Sequence, residues 1–353
     1  MTSKELAKLL GISESAVSFA LNDRPGVSQV TRMMVKKAAM EHGMDLGTRR
    51  RTKKGSNVIS LISYLPRKFQ ETDFFRTISD SIEMAAAESG YQLERAKPTG
   101  EEELKKYLKQ AETNRVSGII VLGYLLNQNA FNFLAFCSMP ILVLDNSFSS
   151  NTIDFIQINN VEAAFQATNY LINKRPVQPG YLRANIRTYD FTHREIGFYD
   201  AIRYNMMVKT GSPVIELNPA MIEYAEADMN EYLNRGEPVA PSYFADNDMI
   251  AIGVMRALKK HGYRIPEDVS IIGFDDIYIS GYMEPALTTV HIPRHYMGRL
   301  AVKRLISVIE GGEHYAINIQ INGYLKVRNS IAPLSGEMLA KMKDGKGLKK
   351  AEK

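Results

Sequence analysis

The sequence predicts an α/β protein: an N-terminal three-helix, helix-turn-helix head followed by a two-lobed core of doubly wound parallel sheets. Three observations predict it. Capped, apolar-faced helical segments crowd the first 42 residues; from Asn57 to about Asn329 short apolar runs alternate with amphipathic helical stretches; and those runs are too numerous for one sheet of ordinary size.

The head comes first. Thr2 and Glu5 have the T-x-x-E spacing of a capping box, and Leu6, Ala7 and Leu10 share one face, so a first helix begins at the N-terminus. Gly11 permits a left-handed turn, Ile12 plugs the corner, and Ser13 can cap a second helix over residues 14–21 with Ala16, Val17 and Leu21 inward. Ser15, Ser18, Phe19 and Asn22 are then left facing outward. Ser28 caps a third helix running to about Glu41, with His42-Gly43 as its stop. Three short helices around one small core make a module whose second helix can enter a DNA major groove.

Charge agrees with that reading. The chain carries +5 in all, yet residues 1–57 hold 11 Lys/Arg against 5 acidic residues, which leaves −1 on the remaining 296. A basic end on a near-neutral body is the footprint of a phosphate-binding head, because neutralised phosphates release their counterions.

In the body, the candidate strands are 58–64, 91–95, 118–122, 141–144, 155–158, 214–217, 242–245 and 270–273. The candidate helices are 76–89, 101–114, 161–172, 193–205, 249–261 and 294–309. Strand alternating with helix means parallel sheets covered on both faces, split here into two lobes near Ile158-Asn159. The expected division is a head over 1–45, a basic hinge over 46–57, a core over 58–335 and a basic, disordered tail over 336–353. Within the core, one lobe takes about 58–157 plus 290–320 and the other about 158–289 plus 321–335. With 353 residues, 45% of them hydrophobic, the chain can bury a sizeable core. The single cysteine, Cys137, excludes an internal disulfide framework and reads as core. No 18-residue apolar run and no N-terminal signal pattern is present, so a cytoplasmic location without membrane contact is expected.

In doubly wound sheets ligands sit beyond the carboxyl ends of the strands. The residues there are polar: Asp145, the run Asp246-Asn247-Asp248, and Asp275-Asp276; Phe74 and Phe75 follow the first strand, and Arg194 opens a helix at 191–194. Carboxylates, an amide and an arginine around an aromatic platform suit a polyhydroxylated ligand such as a sugar, since each carboxylate accepts hydroxyl hydrogens and arginine donates a fork. The plain alternative for each aspartate is a turn former or helix cap, and Asp248 reads as the cap of the helix that follows.

These residues resemble the lactose-repressor/galactose-repressor family of bacterial transcription regulators. The resemblance rests on Thr2 to Ala7, Gly11-Ile12-Ser13, Val17-Ser18, Leu21-Asn22, Val27-Ser28, Thr31-Arg32, the block from Ile265 to Asp276, and Pro285 to Val290, and it spans residues 2 to about 332. It implies a homodimer whose heads grip a palindromic double-stranded operator. It also implies a periplasmic-binding-protein-like core whose closure on a small effector, a sugar or sugar derivative, changes head spacing. By the family's motif Phe74, Phe75, Asp145, Arg194, Asn247 and Asp275 contact the effector, and Ser15 and Phe19 read bases. Ser13, Ser18, Asn22, Ser28 and Thr31 contact phosphates.

Three departures bear on function. Phe19 stands where many members carry Arg or His; it can touch a thymine methyl but cannot make a bidentate bond to guanine. The hinge offers Arg49, Arg50 and Arg51, with Lys53 in place of the leucine that wedges into the minor groove. Lys174 to Arg183 replaces a conventional Gly-His segment, and Ile292 replaces a polar ligand contact. Among rival readings, an enzyme finds no phosphate loop, nucleophile elbow or zinc-binding motif, so no catalytic residue, metal or cofactor is expected. A sugar-binding protein without a DNA role conflicts with the head. Control by a phosphorylated carrier protein docking on a lobe stays open.

Overall fold

The computed structural model describes residues 2–21, 26–42, 44, 56–65, 72–150, 152–311 and 315–334. The hinge arginines Arg49, Arg50 and Arg51, Asn22, and the lysine-rich tail lie outside the described residues.

Three helices form the head: α1 (Ser3–Leu10), α2 (Glu14–Leu21) and α3 (Gln29–Glu41). The Thr2 amide donates to Glu5 at 2.7 Å and the Glu5 amide donates to the Thr2 hydroxyl at 3.3 Å, completing the capping box. Gly11 takes the left-handed φ of 64° at the corner, and Ser13 and Ser28 accept the amides of Ala16 and Thr31. The core consists of Leu6, Ala7, Val17, Ala20, Val35, Ala38, Ala39 and Met44. The inward face of α2 is therefore Val17 and Ala20. Leu21 packs half-buried against this core, as expected, whereas Ala16, expected inside, is half-buried and lies outside it.

The chain forms two compact units, one of residues 1–65, 82–156 and 299–319, the other of 66–81, 157–298 and 320–353. The first holds β1 (Val58–Ser63), β2 (Gln92–Ala96), β3 (Gly118–Leu122), β4 (Ile141–Leu144) and β5 (Asp154–Ile158), whose last two residues enter the second unit. Its helices are α4 (Asp73–Glu88), which begins in the second unit, α5 (Glu101–Thr113) and α6 (Gln128–Ala135). β1 to β5 pair in parallel in the order β5-β4-β3-β1-β2, and β3 and β4 are wholly buried. Each Val, Ile or Leu buried this way contributes ~1.5–3 kcal/mol. Cys137 lies just after α6 in this core, its thiol 3.7 Å from Glu112.

The second unit has helices α7 (Asn160–Lys174), α8 (Tyr189–Tyr204), α9 (Ile222–Asn234), α10 (Asp248–Lys260) and the start of α11 (Arg294–Glu310). Its strands are β6 (Gly180–Ala184), β7 (Val214–Leu217), β8 (Ser242–Ala245), β9 (Ser270–Asp275) and β10 (Thr288–His291). β11 (Asn318–Ile321) edges the first sheet, and β12 (Tyr324–Lys326) closes the second sheet antiparallel to β10. The second sheet runs β12-β10-β9-β8-β6-β7, otherwise parallel. Tyr181, Phe198 and Phe244 stack at its centre, 4.8 and 5.8 Å apart through Tyr181. Gly197 brings α8 against α7 so closely that a Cβ there would lie 2.2 Å from the Val161 carbonyl oxygen, and Gly253 does the same between α10 and α9 at 2.6 Å.

Several elements differ from expectation. β6 occupies the stretch read only as a replaced Gly-His segment, and α6, α9, β10, β11 and β12 carried no expectation. α4 starts at Asp73 rather than Arg76. α8 starts at Tyr189, capped by the Thr188 hydroxyl, so Arg194 sits in its second turn instead of opening it. Arg175 is buried and pins the replaced segment, donating to the carbonyls of Pro266, Glu267 and Asp268 and to the Ser270 hydroxyl. Burial lowers its pKa to about 10. Among the described residues, no helix is long and apolar enough to cross a membrane.

Candidate functional site

The carboxyl ends of the strands carry the predicted polar residues in unusual backbone. Asp275 and Asp276, at and just after the end of β9, have φ of 107° and 50°, and Asp145, after β4, has 63°. Positive φ at non-glycine residues costs of order 1–3 kcal/mol and persists where surrounding structure imposes it.

Within the second unit, Arg194 gathers a chain of buried polar groups. Its Nε donates to Asn160 at 2.9 Å, whose amide donates to Asp190 at 2.6 Å. Its Nη1 donates to the carbonyl of Asp246, and its Nη2 lies 3.2 Å from Asp275 Oδ1. The guanidinium stacks 3.8 Å from the Phe274 ring centroid. Burial pushes the Asp275 carboxyl up to about 6, against the pull of Arg194 and Arg294.

The neighbours of this pair divide their roles. Asn247, not Asp248, caps α10: its Oδ1 accepts the Ile250 amide at 2.9 Å while its Nδ2 donates to Pro219 at 3.1 Å. Asp248 is buried as the first helical residue and accepts Ile277 N–H, Ser280 O–H and Thr289 O–H. Asp246 accepts Tyr181 O–H at 2.5 Å and Ala184 N–H at 2.7 Å. Burial raises both carboxyls to about 7. Asp276 binds Arg328, His291 and Lys326, which holds its carboxyl below the usual range. Asp246, Asp248 and Asp276 thus serve the fold. Phe74 and Phe75 lie in the first turn of α4, buried, with centroids 5.1 Å apart and edge to face, and Ile292 is core.

In the first unit, Asp145 is buried and its amide donates to Ile156. In the head, Ser13 and Ser15 are exposed with hydroxyls 2.9 Å apart, and Ser28 and Thr31 lie 2.8 Å apart. Ser13 and Ser28 accept amides, and in each hydroxyl pair one O–H is used in the bond between the two residues while the other can be directed to phosphate. Ser18 and Phe19 are half-buried, the Phe19 ring resting over Gly26. Among the described residues, no group of three or more His, Cys, Asp or Glu is placed to hold a metal ion.

The family model described as "Periplasmic binding protein-like domain" matches residues 170–331. The HTH-type transcriptional repressor PurR of Pasteurella multocida (strain Pm70) is 28% identical over 339 residues, covering 94% of this chain and 98% of that protein. The match therefore runs through head and body together. Over that length the chain is similar to repressors of the lactose-repressor/galactose-repressor kind. Two solved structures share its fold with a TM-score of 0.69, each covering 94% of this chain and 99% of theirs. One is the transcriptional regulator CelR in complex with cellobiose, at 24% identity, and the other is the Lac repressor dimer bound to operator and the anti-inducer ONPF, at 23%.

Sequence reasoning missed three residues. Asn160 and Asp190 bridge to Arg194, and Arg294 approaches Asp275. Two of the three left a signal: Asn160 closely follows β5, and Asp190 stands four residues before Arg194, on the same helical face.

Proposed function

We propose that this protein is a cytoplasmic, homodimeric transcriptional repressor. Its head, residues 1–45, reads a palindromic operator, and its core, residues 58–335, binds a sugar-like effector through Arg194 and Asp275, with Asn247, Phe74 and Phe75 of the same unit around the ligand. The hinge and its arginines follow the minor groove. The observation that carries this reading is a repressor-like sequence running unbroken through a capped helix-turn-helix and a core whose strand ends hold a buried Arg–Asp pair. The head supplies hydroxyl donors on α2 and α3 in a basic segment, which is the equipment for phosphate contact.

The test is titration of labelled operator DNA by fluorescence anisotropy at two salt concentrations, followed by addition of cellobiose and a panel of monosaccharides. If two heads neutralise on the order of 6–10 phosphates, affinity falls by roughly 10³–10⁵ between 50 and 200 mM salt. A salt-independent signal would remove DNA binding, and operator release by none of the sugars would remove the sugar assignment alone.

A further inference from the structure

Arg294 opens α11, and its guanidinium engages three groups at once. Nη1 donates to Asp73 Oδ2 at 3.1 Å, Nη2 donates to the carbonyl oxygen of Asp276 at 2.9 Å, and the guanidinium carbon lies 5.8 Å from the centroid of the Phe74 ring. The side chain is nine-tenths buried. Asp73 is the first residue of α4, whose first turn carries Phe74 and Phe75. Asp276 is the second member of the positive-φ pair that begins with Asp275, so a bond to its carbonyl fixes the backbone just beyond the Asp275 carboxylate. The Asp276 side chain is held independently by Arg328, His291 and Lys326.

A cation in the first turn of a helix opposes the helix dipole, so α11 itself gains nothing from this arginine. A lysine could donate to either acceptor, but it lacks the planar fork that reaches both while lying over a ring. We infer that Arg294 is a positioning residue of the effector site: it ties the strained Asp275-Asp276 turn to the first turn of α4 and so holds the ligand-facing carboxylate and the aromatic pair in one register. This rests on the reading that Asp275, Phe74 and Phe75 face the effector. The position of Asp275 also makes it a reporter, because Arg294 is one of the two cations that favour its ionised form.

The test uses the full chain without ligand, labelled with ¹³C at aspartate carboxyls, in Arg294→Met and Arg294→Lys variants, with Asp275→Asn to assign the resonance. The Asp275 midpoint is expected to move upward in Arg294→Met and to return most of the way in Arg294→Lys, which keeps the charge. Amide exchange over 73–80 and 275–281 is expected to quicken together, roughly fivefold or more, in both variants, since neither restores the double bond. An unmoved midpoint in Arg294→Met, or faster exchange in only one segment, would overturn the inference; if Arg294→Met does not fold, the exchange pattern of Arg294→Lys decides. Because no ligand is present, these outcomes are separate from the effector reading, which stands or falls on Asp275→Ala and Arg194→Ala in operator release.

Discussion

Arg194 is buried and Asp275 largely so, and removing one leaves the other charged and poorly solvated. Arg194→Ala and Asp275→Ala should each weaken effector binding by ~2–5 kcal/mol while leaving effector-free operator affinity nearly unchanged. The effector concentration needed to release operator measures this, and normal release in both variants would remove the pair from the site. The buried aspartates also set a pH dependence. Asp246 and Asp248 are raised to about 7 and Asp275 to about 6, so between the unfolded carboxylate range and those values the folded protein binds more protons than the unfolded chain. Their contribution therefore favours folding as pH falls from about 7 toward 5 and is lost as pH rises through 6 to 7. Urea unfolding of the core at pH 5.5 and 8 should show it, and Asp246→Asn should flatten the difference. Asp275 was legible because position at a strand end and residue type coincide, whereas Arg194 was picked out by residue type and its place in the second turn of α8 was not. The exchange of roles between Asn247 and Asp248 was not: either can cap a helix, and the choice is made by Ser280 and Thr289, hydroxyls that no local pattern connects to Asp248.

Helix α8 lies on α7, and α10 on α9, at distances only glycine allows. Gly197→Ala and Gly253→Ala should each destabilise the core by about 1–3 kcal/mol or more, because the added methyl meets a backbone carbonyl that cannot swing away. Chemical denaturation would read this as a lower midpoint with an unchanged slope; stability equal to the parent would mean the helices separate at little cost. In the head, Thr2→Ala removes the N-cap acceptor of α1 and should cost about 1 kcal/mol, visible as a lower melting temperature of the isolated head. β3, β4, β7 and β8 were legible to the residue, the first two as uninterrupted apolar runs and the other two as short apolar runs holding one polar residue each. β6 was hidden by Gly180 at its start, Arg183 within it and two nearby prolines, and it is a strand because Tyr181 and Leu182 fill the sheet's centre. β12 has only three residues, two of them exposed, and exists because β10 offers an edge.

Removing residues 1–57 should abolish operator binding and leave the remainder cooperatively folded, since both sheets and their buried strands lie beyond that point. Circular dichroism and gel shift on the truncated protein check the two halves of that statement, and a truncated protein that still binds operator would place the DNA contact elsewhere. The basic hinge sequence, with lysine where a wedge leucine would open a base step, should bend the operator less than a leucine-bearing hinge does. A circular-permutation gel shift showing a sharp central kink would refute this.

The left-handed aspartates also limit how such a protein can change its ligand over evolutionary time. At 145, 275 and 276 the backbone admits few residues besides glycine, asparagine and aspartate without added strain. On the proposed reading, drift in specificity at Asp275 is thereby confined to losing or neutralising a carboxylate, a coarse change, while Asp276 is held by Arg328, His291 and Lys326. On the same reading, finer steps fall on side chains in ordinary backbone, Phe74 and Phe75, where size and polarity can vary in smaller increments. Libraries randomised at those two positions should yield altered effector preference far more often than libraries of equal size at Asp145 and Asp275.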